Sequence, residues 1–336
     1  MSETKTNAVD VVAWILAAAS LLAVLELQLL SALFSGLLVY ELVHIIAPML
    51  QRRFFSERSR LAAVVVLATM IVGLLSLAIF GVVAFFRSDA GNLMALLQRM
   101  ADILDGARES LPPWVVERLP IDAEDLRKTL SQWLRTHAPE IQLWGTNAGR
   151  VLFHVTVGMI IGAMVSLREA APARSPGPLS LALTERALRI GDAFRRVVFA
   201  QVRISVINTV LTAIYLVLVL PLFGVHLPLK STLIGVTFVA GLLPVAGNVI
   251  SNTIIVVVSL SHSLATAAAS LAFLLLVHKL EYFLNARIVG SQIHARPWEL
   301  LVAMLAMEAA FGVSGVVAAP VFYAYLKREL ADRGLI

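Results

Sequence analysis

The sequence predicts an all-α polytopic membrane protein, and three observations carry that prediction. Of its 336 residues, 59% are hydrophobic and 15% charged, whereas soluble domains run nearer a quarter charged. Long uncharged runs recur, such as 61–86 (LAAVVVLATMIVGLLSLAIFGVVAFF), each sufficient to cross roughly 30 Å of hydrocarbon as a helix. Arginine alternates between loops as the positive-inside rule requires. The architecture expected is about six full transmembrane helices plus two re-entrant broken-helix hairpins, or eight full spans, with a small extracytoplasmic helical domain.

The elements follow in order. Residues 1–87 form an N-terminal three-span segment. The stretch 11–50 holds two crossings, at about 11–29 and 31–50, with Ser31, Ser35 and Gly36 offering a place to turn. A third runs over 61–86. The N-terminal MSETKTNAVD carries a single lysine and feeds an apolar stretch longer than one signal core, so a cleaved secretory signal is not expected. Residues 51–60 (QRRFFSERSR) hold four arginines against one glutamate, and 168–203 hold seven arginines against three acids. The segment 88–149 has six basic residues against nine acidic ones. The first two are therefore cytoplasmic and the third extracytoplasmic, which places both termini inside a cytoplasmic membrane.

Segment 88–149 is too polar to insert. Leu93, Leu96, Leu97, Met100, Ile103 and Leu104 repeat at helical spacing, and Asp122 is a plausible N-cap for a second helix carrying Leu126, Leu130, Trp133 and Leu134. It reads as an extracytoplasmic amphipathic-helical domain. A fourth span occupies 150–167. Next, 168–203 opens as a Pro/Ser linker (REAAPARSPGPLS) and continues as a helix in which Arg186, Arg189, Arg195 and Arg196 accompany Leu188, Phe194 and Val198. That pattern suits a helix in the inner headgroup region, with its arginines snorkelling or meeting anionic lipid.

Residues 204–336 form the expected transport core. Ser231–Leu260 is uncharged and about 45 Å long if wholly helical, too long for one upright crossing. "GLLPVAGNVISNT" (241–253) interrupts it. The segment 299–326 is similar and is broken by "FGVSGVVAAP" (311–320). Broken helices at membrane depth point to a binding site, because freed N–H and C=O groups are tolerated only against protein or a water-filled cavity. Pro244, Gly247, Asn248, Ser251 and Asn252 at the first break, and Gly312, Gly315 and Pro320 at the second, are candidate pathway residues. Between the breaks, His278, Glu281, Tyr282 and Asn285 share one helical face by spacing. Glu281 and Glu308 are candidate ionisable groups in apolar helices. If both broken segments dip in and return, Lys279, Arg287, Arg296, Lys327 and Arg328 all fall near the cytoplasmic face.

The chain has no cysteine and no G-x-x-x-x-G-K-[ST] motif, so thiol-ligated metals and nucleotide-driven transport are not expected. No cofactor, resident metal or nucleic-acid partner is expected either, and the net charge of +5 lies beside membrane segments. Three functional classes stay open on the residues alone. The first is a secondary transporter for a small polar solute, driven by H+ or Na+ or by the solute's own gradient. The second is an intramembrane metalloenzyme using "ELVH" (Glu41, His44) and "HKLE" (His278, Glu281), whose i, i+3 spacing can serve metals in helical bundles. The third is a scaffold whose 88–149 domain holds a partner.

From about Phe194 to Leu330 the chain resembles the AI-2E permeases, through "AQVRISVINTVLTAIYLVL", "LPLKSTLIGVTFVAGLLPVAG", "RIVGSQIHARP" and "FGVSGVVAAPVF". The resemblance implies a homo-oligomeric membrane transporter, not an enzyme. The family is associated with export of the small hydrophilic signal autoinducer-2 and with sodium–proton exchange. By position, the family's Pro-x-x-Gly break is Pro244 and Gly247, and Gln201 matches its Gly-Gln position with Ala200 in place of glycine. Gly290, Pro297, Gly312, Gly315 and Pro320 match further landmarks. Ala286 replaces a usual proline, Met307 and Glu308 a usual glycine pair, and Asn248 a frequent proline.

Overall fold

The computed structural model describes residues 8–54, 60–87, 103, 138–170, 176–242, 246–288 and 296–335. All described regular structure is helical. The order is α1 (Ala8–Glu26), α2 (Leu30–Phe54), α3 (Arg60–Arg87), α4 (Ala138–Ala170), α5 (Pro178–Ile214), α6 (Lys230–Gly241), α7 (Ala246–Leu260), α8 (Leu264–Ile288) and α9 (Pro297–Asp332). The amphipathic helices expected between 93 and 134 lie outside the described residues, apart from the helical Ile103.

Six stretches are long and apolar enough to cross a membrane: Ala8–Glu26, Leu30–Pro48, Val64–Phe85, Gly149–Arg168, Pro178–Leu222 and Trp298–Asp332. The last is not one helix. Gly312 has φ 60° and ψ −143°, a conformation that only glycine enters without strain. Beyond it, Gly315 packs on the Met307 carbonyl, and Tyr323 and Lys327 reach Glu299. Each of these pairs straddles Gly312 almost symmetrically, so α9 folds back on itself there. Its first arm, Pro297–Phe311, is about 22 Å long at 1.5 Å per residue. The 25 residues of α8, about 37 Å, supply the length of another span. With α1 to α5 this makes six long helices, and the two broken segments are helical hairpins.

The helices divide into two compact units. One comprises Met1–Ile79, Asn147–Phe199 and Gln292–Ile336; the other comprises Phe80–Thr146 and Ala200–Ser291. In the first unit, α2 and α4 approach through small residues. Gly158 faces the Ala32 carbonyl and Gly162 the Gly36 carbonyl, so closely that an added Cβ would overlap backbone. This is the small-xxx-small packing that brings membrane helices together without a hydrophobic driving force. Gly36 is therefore a packing residue inside α2 and not a turn. The turn between α1 and α2 lies at Leu27–Leu29, where Gln28 adopts φ 56° and the Leu29 N–H reaches the Val24 carbonyl.

In the same unit, the basic stretch expected to meet lipid headgroups has another role. Arg186 is 1% exposed. It donates to the Ala182 carbonyl and to Asp10 Oδ1 at 3.0 Å. Arg189 pairs with Glu329 at 2.6 Å, and Trp14 Nε1 donates to the other oxygen of Glu329. Arg333 closes the set on Asp10 at 3.1 Å, and Arg328 and Arg195 both reach Asp192. Phe194 is buried with Ala193, Val321 and Tyr325. A charge this buried needs several opposite partners, and here α1 and the second arm of α9 supply them.

The second unit is built around the part of α5 from Ala200 on, which runs past Ile214 through a π-helical turn at Tyr215–Val219 into Leu220–Leu222. Pro221 has no N–H to return to the preceding turn, and the Leu220 N–H bonds the Tyr215 carbonyl five residues back. Leu233 and Val236 of α6 share one core with Ile254, Ile255 and Val258 of α7, together with Tyr215, Leu216, Leu220 and Leu274. Gly247 at the start of α7 lies against Ala240 at the end of α6, so the two helices run antiparallel as the second hairpin.

Candidate functional site

The α6–α7 hairpin holds the richest polar constellation. Gly247 lies against Ala240, where a Cβ would come within 3.0 Å of backbone atoms, so the arms close tightly immediately after the break. A helix ends with four carbonyls that no intrahelical N–H can reach. For α6 these belong to Phe238, Val239, Ala240 and Gly241. The Leu242 N–H serves Val239. Two others are served by α5: Gln201 Nε2 donates to the Gly241 carbonyl at 2.7 Å, and Ser205 Oγ to the Phe238 carbonyl at 2.6 Å. The opening turn of α7 is tied in by an amide pair, Asn208 Nδ2 donating to Asn248 Oδ1 at 3.0 Å. Ser251, 1% exposed, donates to the Asn248 carbonyl.

These α5 residues continue as a stripe. Gln201, Ser205, Asn208, Thr212 and Tyr215 are spaced by four, three, four and three, which is one face of a helix. At its far end the Tyr215 hydroxyl meets Ser270 Oγ at 2.9 Å, and Ser270 meets Ser259 at 2.7 Å. Phe273 stacks on the Tyr215 ring at 4.0 Å. Ser259 and Ser270 are fully buried. One place in the stripe is unfilled. The Thr212 side chain is completely buried, yet its hydroxyl has no hydrogen-bond partner, and neither has that of Thr209 one residue beyond Asn208. Unsatisfied hydroxyls are costly in low dielectric, and such atoms commonly mark a bound water or ligand.

The predicted residues fall as follows. Gly247, Asn248 and Ser251 come together at the hairpin break, with Asn252 half-buried beside them; Pro244 lies outside the described residues. Glu281 and Asn285 are on α8 with their side chains outside the described residues, and His278 on the same helix is exposed. In the other unit, Gly312 makes the α9 turn, Gly315 closes its arms and Pro320 is buried in the second arm. Glu308 is exposed on the first arm. The open ends of that hairpin are clamped by Glu299, whose carboxylate accepts from the Arg296 N–H, the Tyr323 hydroxyl at 2.7 Å and Lys327. Glu41 is buried at 6% exposure, 3.7 Å from Arg195, and His44 Nδ1 lies 2.8 Å from the Tyr40 carbonyl. No group of three metal-binding side chains occurs among the described residues.

Sequence reasoning reached the break and missed what holds it. Ser205, Asn208, Thr212 and Tyr215 stand out only once α5 is read for polar periodicity within an apolar span. Gln201 was reached through the family resemblance, and the structure gives it a physical task, capping α6. No curated protein and no solved structure matches the chain. Residues 11–332, nearly the whole chain, match the family described as AI-2E family transporter, and with its apolar spans the chain belongs to that family of multi-pass membrane transporters.

Proposed function

We propose that the chain is a secondary transporter that moves a small polar solute or signalling molecule across the cytoplasmic membrane. In this reading the solute binds where the α6–α7 break meets α5, among Asn208, Asn248, Ser251 and Thr212. The carrying observation is the fully buried, unpartnered Thr212 hydroxyl one turn from the Asn208–Asn248 pair. The site's described side chains are amides and hydroxyls, which suit an uncharged hydrogen-bonding solute or a partly dehydrated monovalent cation.

The chain's topology supports alternating access. With the N-terminus inside, five crossings by α1 to α5 bring the chain outside, and the α6–α7 hairpin enters from there. The sixth crossing, α8, returns it, and the α9 hairpin enters from the cytoplasmic face with the C-terminus inside. Discontinuous helices are a recurring transporter device, and the chain has two such segments. Proton or sodium coupling would use a carboxylate in an apolar helix, Glu281 or Glu308, and the family resemblance supports a homo-oligomer.

Flux in proteoliposomes tests the proposal, with a panel of small uncharged polar solutes and with sodium or proton gradients. Thr212→Val and Asn248→Leu are expected to lower flux at least tenfold with unchanged expression. Glu308→Gln and Glu281→Gln are expected to remove gradient dependence. Wild-type flux from Thr212→Val and Asn248→Leu together would refute the placement of the site.

A further inference from the structure

The polar stripe on α5 has a regularity that one fixed position of the hairpin leaves unused. Three bonds join α5 to the hairpin: Gln201 to the Gly241 carbonyl, Ser205 to the Phe238 carbonyl, and Asn208 to Asn248 Oδ1. Moving the hairpin along α5 by three to four residues, about one helical turn or 5.4 Å, gives each acceptor a new donor. The Gly241 carbonyl leaves Gln201 and meets Ser205. The Phe238 carbonyl leaves Ser205 and meets Asn208. Asn248 leaves Asn208 and meets Thr212. Three bonds between α5 and the hairpin are broken and three are made, and the Tyr215–Ser270–Ser259 link gives up one of its two bonds.

We propose that α5 is a rail on which the α6–α7 hairpin occupies two registers one turn apart, with Thr212 the rung that stands vacant in the register described above.

Three observations carry this beyond spacing alone. Thr212 is completely buried and its hydroxyl has no partner, as a rung used only in the other register would be. The two carbonyls concerned are end carbonyls of α6, so exchanging their donors leaves every bond inside the helix intact. Gly241 already faces Ser205, where an added Cβ would stand 2.7 Å from Ser205 Oγ, so the next donor for its carbonyl is adjacent and nothing bulky separates them. One-turn ratchets of an element past another are an established way for packed helices to switch, because the intermediate positions lose their contacts. The direct bonds between α5 and the hairpin are equal in number, and the two registers differ by one neutral hydrogen bond of the serine link, which keeps their populations within roughly tenfold of each other. A larger side chain at 241 would abolish the passage.

The proposal deepens the transport reading by naming the motion of its moving part. The test reports register without reference to solute, so the two can fail separately. The native chain has no cysteine, so one full-length protein carrying Asn208→Cys, Thr212→Cys and Asn248→Cys can be oxidised in membranes with copper-phenanthroline and oxygen. Its products are separated by proteolysis and mass spectrometry. Both the 208–248 and the 212–248 disulfides are expected, at yields within tenfold of each other. With Asn208 retained, the Thr212→Cys/Asn248→Cys chain is expected to give the 212–248 product as well, and Tyr215→Cys/Asn248→Cys sets the background two rungs away. A 212–248 yield at that background overturns the two-register rail, as does the absence of both products.

Discussion

Gly247→Ala, paired with Gly73→Ala as its control, tests the hairpin geometry by the sign of a stability change. Replacing glycine by alanine inside a helix is worth about 1 kcal/mol in helix propensity. At Gly73 on α3 nothing lies within 4 Å of the new methyl, so that gain is realised in full. At Gly247 the methyl would meet the carbonyl and backbone atoms of Ala240 and Gly241. Those atoms cannot rotate aside as a side chain could, so the arms must separate, at a cost near the top of the overpacking range, about 3 kcal/mol. The net is about 2 kcal/mol of destabilisation against about 1 kcal/mol of stabilisation for the control. A gap of about 3 kcal/mol corresponds to a separation in melting temperature on the order of 6 °C. Thermal unfolding of the purified protein in detergent, followed by intrinsic fluorescence, reads it directly. Gly247→Ala melting at or above the wild type, with Gly73→Ala raised as expected, would refute the claim that α6 and α7 meet at backbone contact.

Three further outcomes follow from single side chains. Gln201→Leu leaves the Gly241 carbonyl without its donor in the register described but not in the second, where Ser205 serves it; with the registers within tenfold the loss is at most about 1.4 kcal/mol, so the melting temperature should fall by no more than a few degrees and the 212–248 disulfide should gain on the 208–248 one. Arg186→Met strips Asp10 of a buried partner and should cost about 3–5 kcal/mol, visible as lost expression, whereas adding Asp10→Asn should recover part of it in a double-mutant comparison. Lys327→Met removes a cation from the Glu299 clamp, so limited proteolysis should cut between Trp298 and Glu308 faster than in wild type, and an unchanged rate would show that the clamp does not hold the arms.

The fold was legible because its determinants are local in sequence. Apolar run length reports a span, and Gly, Pro and amides within such a run report a break. The long helices and the roles of Gly247, Gly312 and Gly315 as backbone landmarks follow from that, whereas hairpins against eight full spans stayed open in the sequence until the Gly312 turn and the Gly247–Ala240 contact decided it. The misreadings have a common cause, since they concern what a residue meets across space. Gly36 looks like a turn residue until the Gly158–Gly162 face of α4 is set against it. Arg186 and Arg189 look like headgroup-facing cations until Asp10, Glu329 and Asp332, far away in sequence, are brought to them. The α5 stripe is an intermediate case. Its period was readable at 201–215, but hydroxyls in apolar helices usually bond their own preceding carbonyl, as Thr69 and Thr156 do, so the period alone did not mark a seam.

The two hairpins solve the same physical problem in different ways, and the difference bears on which of them moves. Each must satisfy the groups freed at its tip and hold two short arms together. The α9 hairpin relies on itself: a glycine conformation turns its tip, Gly315 seats on Met307, and Glu299 ties the open ends to Tyr323 and Lys327. Its second arm is also anchored by Glu329 in the buried ion-pair cluster. Separating any part of it breaks charge-assisted bonds that have no described substitute. The α6–α7 hairpin relies on a neighbour: its freed carbonyls are satisfied by neutral side chains of α5, and α5 repeats such side chains at every turn from Gln201 to Tyr215. Neutral hydrogen bonds contribute about 1 kcal/mol each, and here a replacement donor stands one turn away. On the two-register proposal, a part held by exchangeable bonds moves at small cost, whereas the α9 hairpin has no such exchange of partners among the described residues.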